Sequence, residues 1–384
     1  MNDNSRNDII DVIDEFDYST QNAVYSEKFR QWRSRRDNPY AFTFEKHQRE
    51  SVYVDGRGFI DKSPIEAEKK SLSAIFFALG AAALMWIVID TVISRLIIIV
   101  LNLCGVDINM NFSSSTIYGG CYEVVAVLIA VAFLKVFIPF TYLHTKFKIP
   151  LKAEFLSNMS NPAALIGAIS VTFIVCIATS IPAAYSTETK EVYQFFTSSG
   201  ADVSVWNQSE FLVYSIFDVI IMPVVSQLFF CGAMFTVMRQ FGDYFAVVMM
   251  SATATLLTQD LHIMPAVFLV SLVGAYGMLT SGTIFTAVVV NILYKMYDLS
   301  LTIIENDHSE NMMMYRLIFM CSVLAAGSLG LVLYRNMIKR KKIHLAGYNS
   351  ELTFGRRVLH ASKTFPYSVV AILCIICAVI RTVL

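Results

Sequence analysis

Pro223-Val-Val-Ser-Gln-Leu-Phe-Phe-Cys-Gly232 lies in the middle of an apolar run, residues 211–238, whose one charged side chain is Asp218. A run of that length exceeds the roughly 20 residues that a helix needs to cross a bilayer core. Working outward, apolar segments recur near 72–92, 119–142, 163–184, 244–261, 264–280, 283–303, 315–335 and 366–383. The chain of 384 residues is 55% hydrophobic and only 16% charged, with a mean hydropathy of +0.56. Soluble domains carry about 25% charged residues, so the expected fold class is all-α and polytopic in a membrane. Zero net charge gives no sign of a nucleic-acid partner.

The expected organisation is a cytoplasmic N-terminal arm (1–70) and an eight-helix membrane domain (71–335). A basic segment (336–365) and a further hydrophobic helix (366–384) come after it. Residues 1–70 are polar and the first apolar run is too long for the core of a cleavable signal. That run continues to Leu103, so residues 93–103 either extend a tilted helix or lie along the interface. The Lys/Arg bias of short loops places the N-terminus in the cytoplasm of a cell-membrane protein. Lys69 and Lys70 precede the first span and Lys146, Lys148 and Lys152 follow the second, whereas 102–118 has neither Lys nor Arg. Arg239 follows the fourth span, and Arg335 with Lys339-Arg-Lys-Lys342 follows the eighth. The arm combines an acidic, near-helical stretch, Asp8–Phe16, with a basic one around Trp32, and reads as a solvated, partly disordered arm, with a short amphipathic element touching the membrane as the alternative. The tail 336–365 is basic enough to be drawn to anionic headgroups.

The stretch 223–232 resembles the first motif of the CPBP family (CAAX proteases and bacteriocin-processing enzymes), P-hydrophobic-x-E-E-x-x-F-R-G. The proline, phenylalanines and glycine are present, but Ser226 and Gln227 replace the glutamates and Cys231 replaces the arginine. The likeness continues through Arg239-Gln-Phe-Gly and through Ala246–Thr258, where Thr258 takes a histidine position. Ser281–Ala287 resembles the segment before the third motif, whose H-x-x-x-N becomes Asn291-Ile-Leu-Tyr-Lys295. The motif region is thus 222–295. In the family, the resemblance implies, a glutamate activates water while histidines and an asparagine bind metal or stabilise the oxyanion.

Here a general base and a zinc ligand set are both missing from the motif positions, so family-type zinc is not expected. With a helical rise of about 1.5 Å per residue, Ser226, Thr258 and Asn291 lie roughly 20, 22 and 14 Å from one membrane edge, so they can converge. His47, His144, His344 and His360 fall on the cytoplasmic side, and His262 and His308 on the outer side. The leading expectation is a pseudoprotease that binds or escorts a membrane peptide or protein, in an immunity or scaffold role.

Two rivals stay open. A displaced metal or catalytic site requires Asp218, Asp260 and His262 to meet, although ordinary helix-end solvation also accounts for Asp260 and His262. A small-solute transporter would use Asp90, Glu123 and Lys135, with Lys135 able to snorkel. Lys295 needs an acid, Asp218 or Asp298, and structural pairing competes with function there. Asp90 and Arg95 are too far round a helix to pair.

Five of the seven cysteines lie in apolar runs, where Cys374-Ile-Ile-Cys377 and Cys231 read as packing. Cys104 and Cys121 flank one loop and leave a disulfide open. Gly274-Ala-Tyr-Gly277 and Ala325–Gly330 have the small-residue spacing of helix contacts.

Overall fold

The computed structural model describes residues 23–33, 35, 40, 51–54, 58–61, 64–110, 117–156, 159–185, 206–306, 311–337 and 352–383. Asp8–Phe16, His47, His308, His344 and Lys339–Lys342 lie outside them. The described chain is an all-α polytopic membrane protein: seven helices are long and apolar enough to cross a membrane, or up to eight if one bent pair counts as a span.

Helix α1 is Ala23–Arg33 and a hairpin pairs β1 (Ser51–Val54) with β2 (Gly58–Asp61). Next come α2 (Pro64–Val88), a π-helical segment Ile89–Ile93, and α3 (Ser94–Leu103), which together make one continuous helical span. Residues 94–103 therefore extend the first span rather than lying along the interface. A short antiparallel hairpin, β3 (Ile108–Met110) and β4 (Ile117–Gly119), leads into α4 (Cys121–Phe147). The single-turn α5 (Leu151–Glu154) and the span α6 (Pro162–Tyr185) come next.

The motif run folds as α7 (Gln208–Ile216), a π-helical Phe217–Ile221, α8 (Met222–Gln227), a second π-helical stretch Leu228–Met234, and α9 (Phe235–Met238). Then come α10 (Asp243–Leu256), α11 (Met264–Ser281), α12 (Phe285–Asn306) and α13 (Met312–Met337), with α14 (Phe354–Ser362) and α15 (Tyr367–Val383) at the end.

Each apolar segment seen in the sequence is a helix, with one difference in length. The fifth ends at Leu256, so α10 has 14 residues and rises only about 21 Å, short of a bilayer core. Its continuation, 257–263, is a turn with Gln259 and Asp260 buried. Gln259 takes a left-handed φ of 54°, which reverses the chain toward α11. Helices α14 and α15 meet at 78°.

Loop contacts sort the helix ends onto two faces. On the first, Thr236 Oγ1 donates to the Ala153 carbonyl, Ile284 N–H to the Leu156 carbonyl, and Ser160 N–H to the Ser281 carbonyl. Arg357 on α14 pairs with Glu68 on α2 at 2.9 Å and donates to the Phe241 carbonyl. The start of α2, the end of α4, the α9–α10 and α11–α12 joints and α14 therefore share this face. That is the alternation expected from the loop charges. On the opposite face Trp206 Nε1 donates to the Gly119 carbonyl, and Arg316 pairs with Glu305 at 2.8 Å.

The arm is solvated on only one side of α1, where Glu27, Arg30 and Gln31 are exposed while Phe29, Trp32 and Arg33 are buried, which corrects the reading of a solvated arm. Trp32 is fully buried, its indole N–H donates to the Phe147 carbonyl at 2.9 Å, and Phe29 is buried beside the Arg239 guanidinium. An amphipathic helix with two large aromatics on one side gains more by covering an apolar surface than by staying in water.

The main core joins α2, the first-face half of α4, the α8–α10 run and α15. A second group packs α6 against α11, α12 and α13. Small residues set that spacing: a Cβ at Gly277 would lie 2.9 Å from the Ala168 methyl, and one at Gly327 would lie 3.2 Å from the Ser170 carbonyl. Only 11% of the apolar window of α13 is buried, as suits a helix facing lipid on most of its circumference.

Candidate functional site: a polar cavity inside the helix bundle

Between α2, α4, the α7–α8 run, the α10–α11 turn and α12 lies a cavity of about 350 Å³. Ser226 and Gln227 reach it from α8, Thr258 from the turn, and Asn291 and Lys295 from α12. The convergence expected from helical rise is present, although Thr258 arrives from beyond the end of its helix rather than from within it. Asp218 lines the same cavity, whereas Cys231 is buried outside it and donates its S–H to Gln227 Oε1 at 2.9 Å.

The motif positions make local hydrogen bonds. Ser226 Oγ donates to the Pro223 carbonyl at 3.2 Å, Thr258 Oγ1 to the Thr255 carbonyl at 2.7 Å, and Asn291 Nδ2 to the Ala287 carbonyl at 3.0 Å. Both hydroxyl protons and one of the two Asn291 amide protons are thus engaged by nearby backbone, while the hydroxyl oxygens and the Asn291 amide oxygen stay available as acceptors. Two ion pairs supply the charge. Lys295 Nζ sits 3.2 Å from both Asp218 oxygens, with the side chains 36% and 35% exposed to the cavity. Lys135 Nζ is 2.7 Å from Asp90 Oδ1, 13% and 35% exposed, and lies 5.0 Å from the Trp86 ring centre.

Lys135 therefore does not snorkel; it crosses to the first span and pairs with Asp90. Of the two acids open to Lys295, Asp218 makes the contact. Both acids sit in π-helical segments, Ile89–Ile93 and Phe217–Ile221. A π turn inserts a residue and rotates the helix beyond it, a feature common at functional sites. Lysine within an apolar helix demands an acid, but for Lys295 both Asp218 and Asp298 were open and only packing selects between them. The π segments and the aromatic walls from Trp86, Tyr214, Phe217 and Tyr294 carried no signal in the sequence.

The displaced metal site does not assemble. Asp218 is engaged by Lys295, and Asp260 Oδ1 accepts the His262 backbone N–H at 2.9 Å in the buried turn. Among the described residues no three His, Cys, Asp or Glu side chains come together in a group suited to a metal ion. Asp260 and His262 are thus turn-forming rather than exposed helix-end residues. Glu123 lies in the first turn of α4 with its carboxylate folded over Gly120, outside the cavity lining. Cys104 is a free, exposed thiol and Cys121 a free, buried one whose S–H points to the Glu210 carbonyl, so the disulfide left open is not formed. Cys374 is buried against the core and Cys377 half-buried, both free.

What remains is a cavity whose aromatic and aliphatic walls carry two internally neutralised ion pairs and several acceptor oxygens. Such a wall offers both apolar contact and hydrogen-bond acceptors to an occupant. Set against protein-family models, curated proteins and solved structures, the chain matches none of them.

Proposed function

We propose that this protein is a non-hydrolytic, CPBP-like membrane protein that binds or escorts a membrane peptide or protein through this cavity, in an immunity or scaffold role. The supporting observation is that Ser226, Gln227, Thr258, Asn291 and Lys295 line one chamber, five of the six positions matched to the family's motifs, with Cys231 buried behind Gln227. Their side chains exchange hydrogen bonds or pair with Asp218, and none is arranged as a general base beside a nucleophile. A peptide segment carries the donors that these acceptor oxygens lack. We place the protein in the cell membrane with its N-terminus in the cytoplasm, from the Lys/Arg bias of its loops.

The test is affinity purification of the full chain from its own membranes, with mass spectrometry of everything retained. A stoichiometric full-length partner is the expected result. Fragments sharing a new terminus, lost in Asp218→Ala, would show peptide-bond hydrolysis and overturn the reading.

A second reading, a small-solute transporter, draws on the Asp90–Lys135 and Asp218–Lys295 pairs flanking one cavity. It requires flux in proteoliposomes that falls in Lys135→Met; a sealed, flux-free vesicle counts against it.

A further inference from the structure

A second cavity, of about 460 Å³, opens on the first face, away from the chamber, between α1, the end of α4 and the loop into α5. Lys28, Arg35 and Lys152 line it together with His144, and Trp32, Ile149, Pro150 and Leu151 give it apolar walls. Among the described residues no Asp or Glu lines it. Two carboxylates among the described residues stand behind the wall and are each held by a lining side chain: Glu154 by His144 Nδ1 at 2.9 Å, and Glu27, which accepts from Gln31 Nε2 at 2.9 Å. Lys28 also donates to Gln31 Oε1 at 3.1 Å, and an ammonium has two further protons to offer. Docking of α1 creates this site, since Trp32 fixes the helix to the end of α4.

The surface leading to the cavity is apolar. Phe133 and Phe137 are exposed on α4, and helical spacing puts them on the same side as His144. Phe140 continues this ridge, its ring stacked with that of His144 at 6.0 Å between centres and 8° between planes. Leu151 is exposed at the rim. A cationic pocket at the head of an aromatic ridge on a membrane-spanning helix matches a molecule with a phosphate at one end and an acyl chain below it.

We propose that this cavity binds the phosphate-bearing headgroup of an anionic phospholipid, with an acyl chain along the Phe133–Phe137–Phe140 ridge. The shared chemistry is a phosphate ester held by cations, and the ridge favours the lipid over a free phosphate. The lipid would bridge α1 and the α4–α5 loop and so tie the arm to the membrane domain.

The test is native mass spectrometry of the full-length protein in detergent, titrated with phosphatidylglycerol or phosphatidylcholine, with and without inorganic phosphate. The expected result is preferential retention of phosphatidylglycerol that inorganic phosphate does not displace. Lys28→Gln with Lys152→Gln should weaken retention about 30-fold, and Lys152→Gln alone about fivefold. Lys28→Arg with Lys152→Arg should keep it, as should Lys363→Gln, which removes an exposed charge at the end of α14. The single Lys152→Gln, at an exposed side chain of the single-turn α5, carries the test if the double variant does not fold. Equal loss in Lys363→Gln would mean general attraction to a basic face and overturn the site. Displacement by inorganic phosphate would overturn the lipid assignment, as would equal retention of the two lipids.

Discussion

Arg239 and Asp243 show what a single buried pair does at the joint between α9 and α10. Their side chains are 3% and 0% exposed with Nε 2.6 Å from Oδ1, one helical turn apart across the 3-10 turn Arg239–Phe241. Removing one partner of such a pair leaves an uncompensated charge and costs about 3–5 kcal/mol. Asp243→Leu and Arg239→Met should each lower the unfolding temperature in detergent, and the double variant should be less destabilised than either. Additive losses would show that the two do not act as a pair. Glu154 offers a pH test on the same face. Burial raises its carboxyl above the ordinary value of 4.5, with the His144 hydrogen bond acting the other way. A raised folded-state value favours the native state fully below the unfolded value and is lost as pH rises through the folded one. Glu154→Gln removes that loss, so its stability relative to wild type should climb as pH rises from the ordinary value of 4.5 through the raised folded-state one. A constant difference would show that Glu154 keeps its ordinary value.

At the scale of elements, α15 is held by backbone-to-backbone approach. Gly80 on α2 lies so close that a Cβ there would sit 2.8 Å from the Tyr367 Cα and 2.9 Å from the Pro366 carbonyl carbon. Tyr367 is buried between helices and its hydroxyl lies 2.8 Å from that of Thr253 on α10. Backbone cannot swing aside as a side chain does, so Gly80→Ala should cost about 1–3 kcal/mol. It should also expose Cys374 to a lipid-soluble thiol reagent. An unchanged melting temperature with Cys374 still protected would count against this contact. Elements of this kind were legible where periodicity and length speak: every apolar run became a helix. The early end of α10 was not: the apolar run was read to residue 261, yet Leu257–Ile263 carries Thr258, Gln259, Asp260 and His262, whose turn forms through hydrogen bonds such as Thr258 Oγ1 to the Thr255 carbonyl and His262 N–H to Asp260 Oδ1.

For the whole molecule, the two faces make an accessibility prediction. Cys104 is exposed beside the β3–β4 hairpin, while Cys121, Cys176, Cys231 and Cys374 are buried. Cys321 is exposed only along the apolar helix α13. A charged maleimide applied to intact cells should label Cys104, and a Lys69→Cys variant at its new thiol only after permeabilisation. Labelling of both in intact cells would break the alternation, and the reverse pattern would invert the orientation.

The sequence by itself determined the membrane class, the positions of the helices and the sorting of loops between two faces. Each rests on local quantities: apolar length against bilayer thickness, and the cost of moving Lys and Arg across it. It also placed Ser226, Thr258 and Asn291 at compatible depths, since rise per residue is constant. Only the tertiary structure decided that Lys135 chooses Asp90 and Lys295 chooses Asp218. It alone showed that Asp260 closes a turn and that α1 docks through Trp32. Those outcomes depend on which side chains face each other across helices, and on π segments that rotate Asp90 and Asp218 into position. Long-range packing, not local pattern, selects among partners that the chain makes equally available.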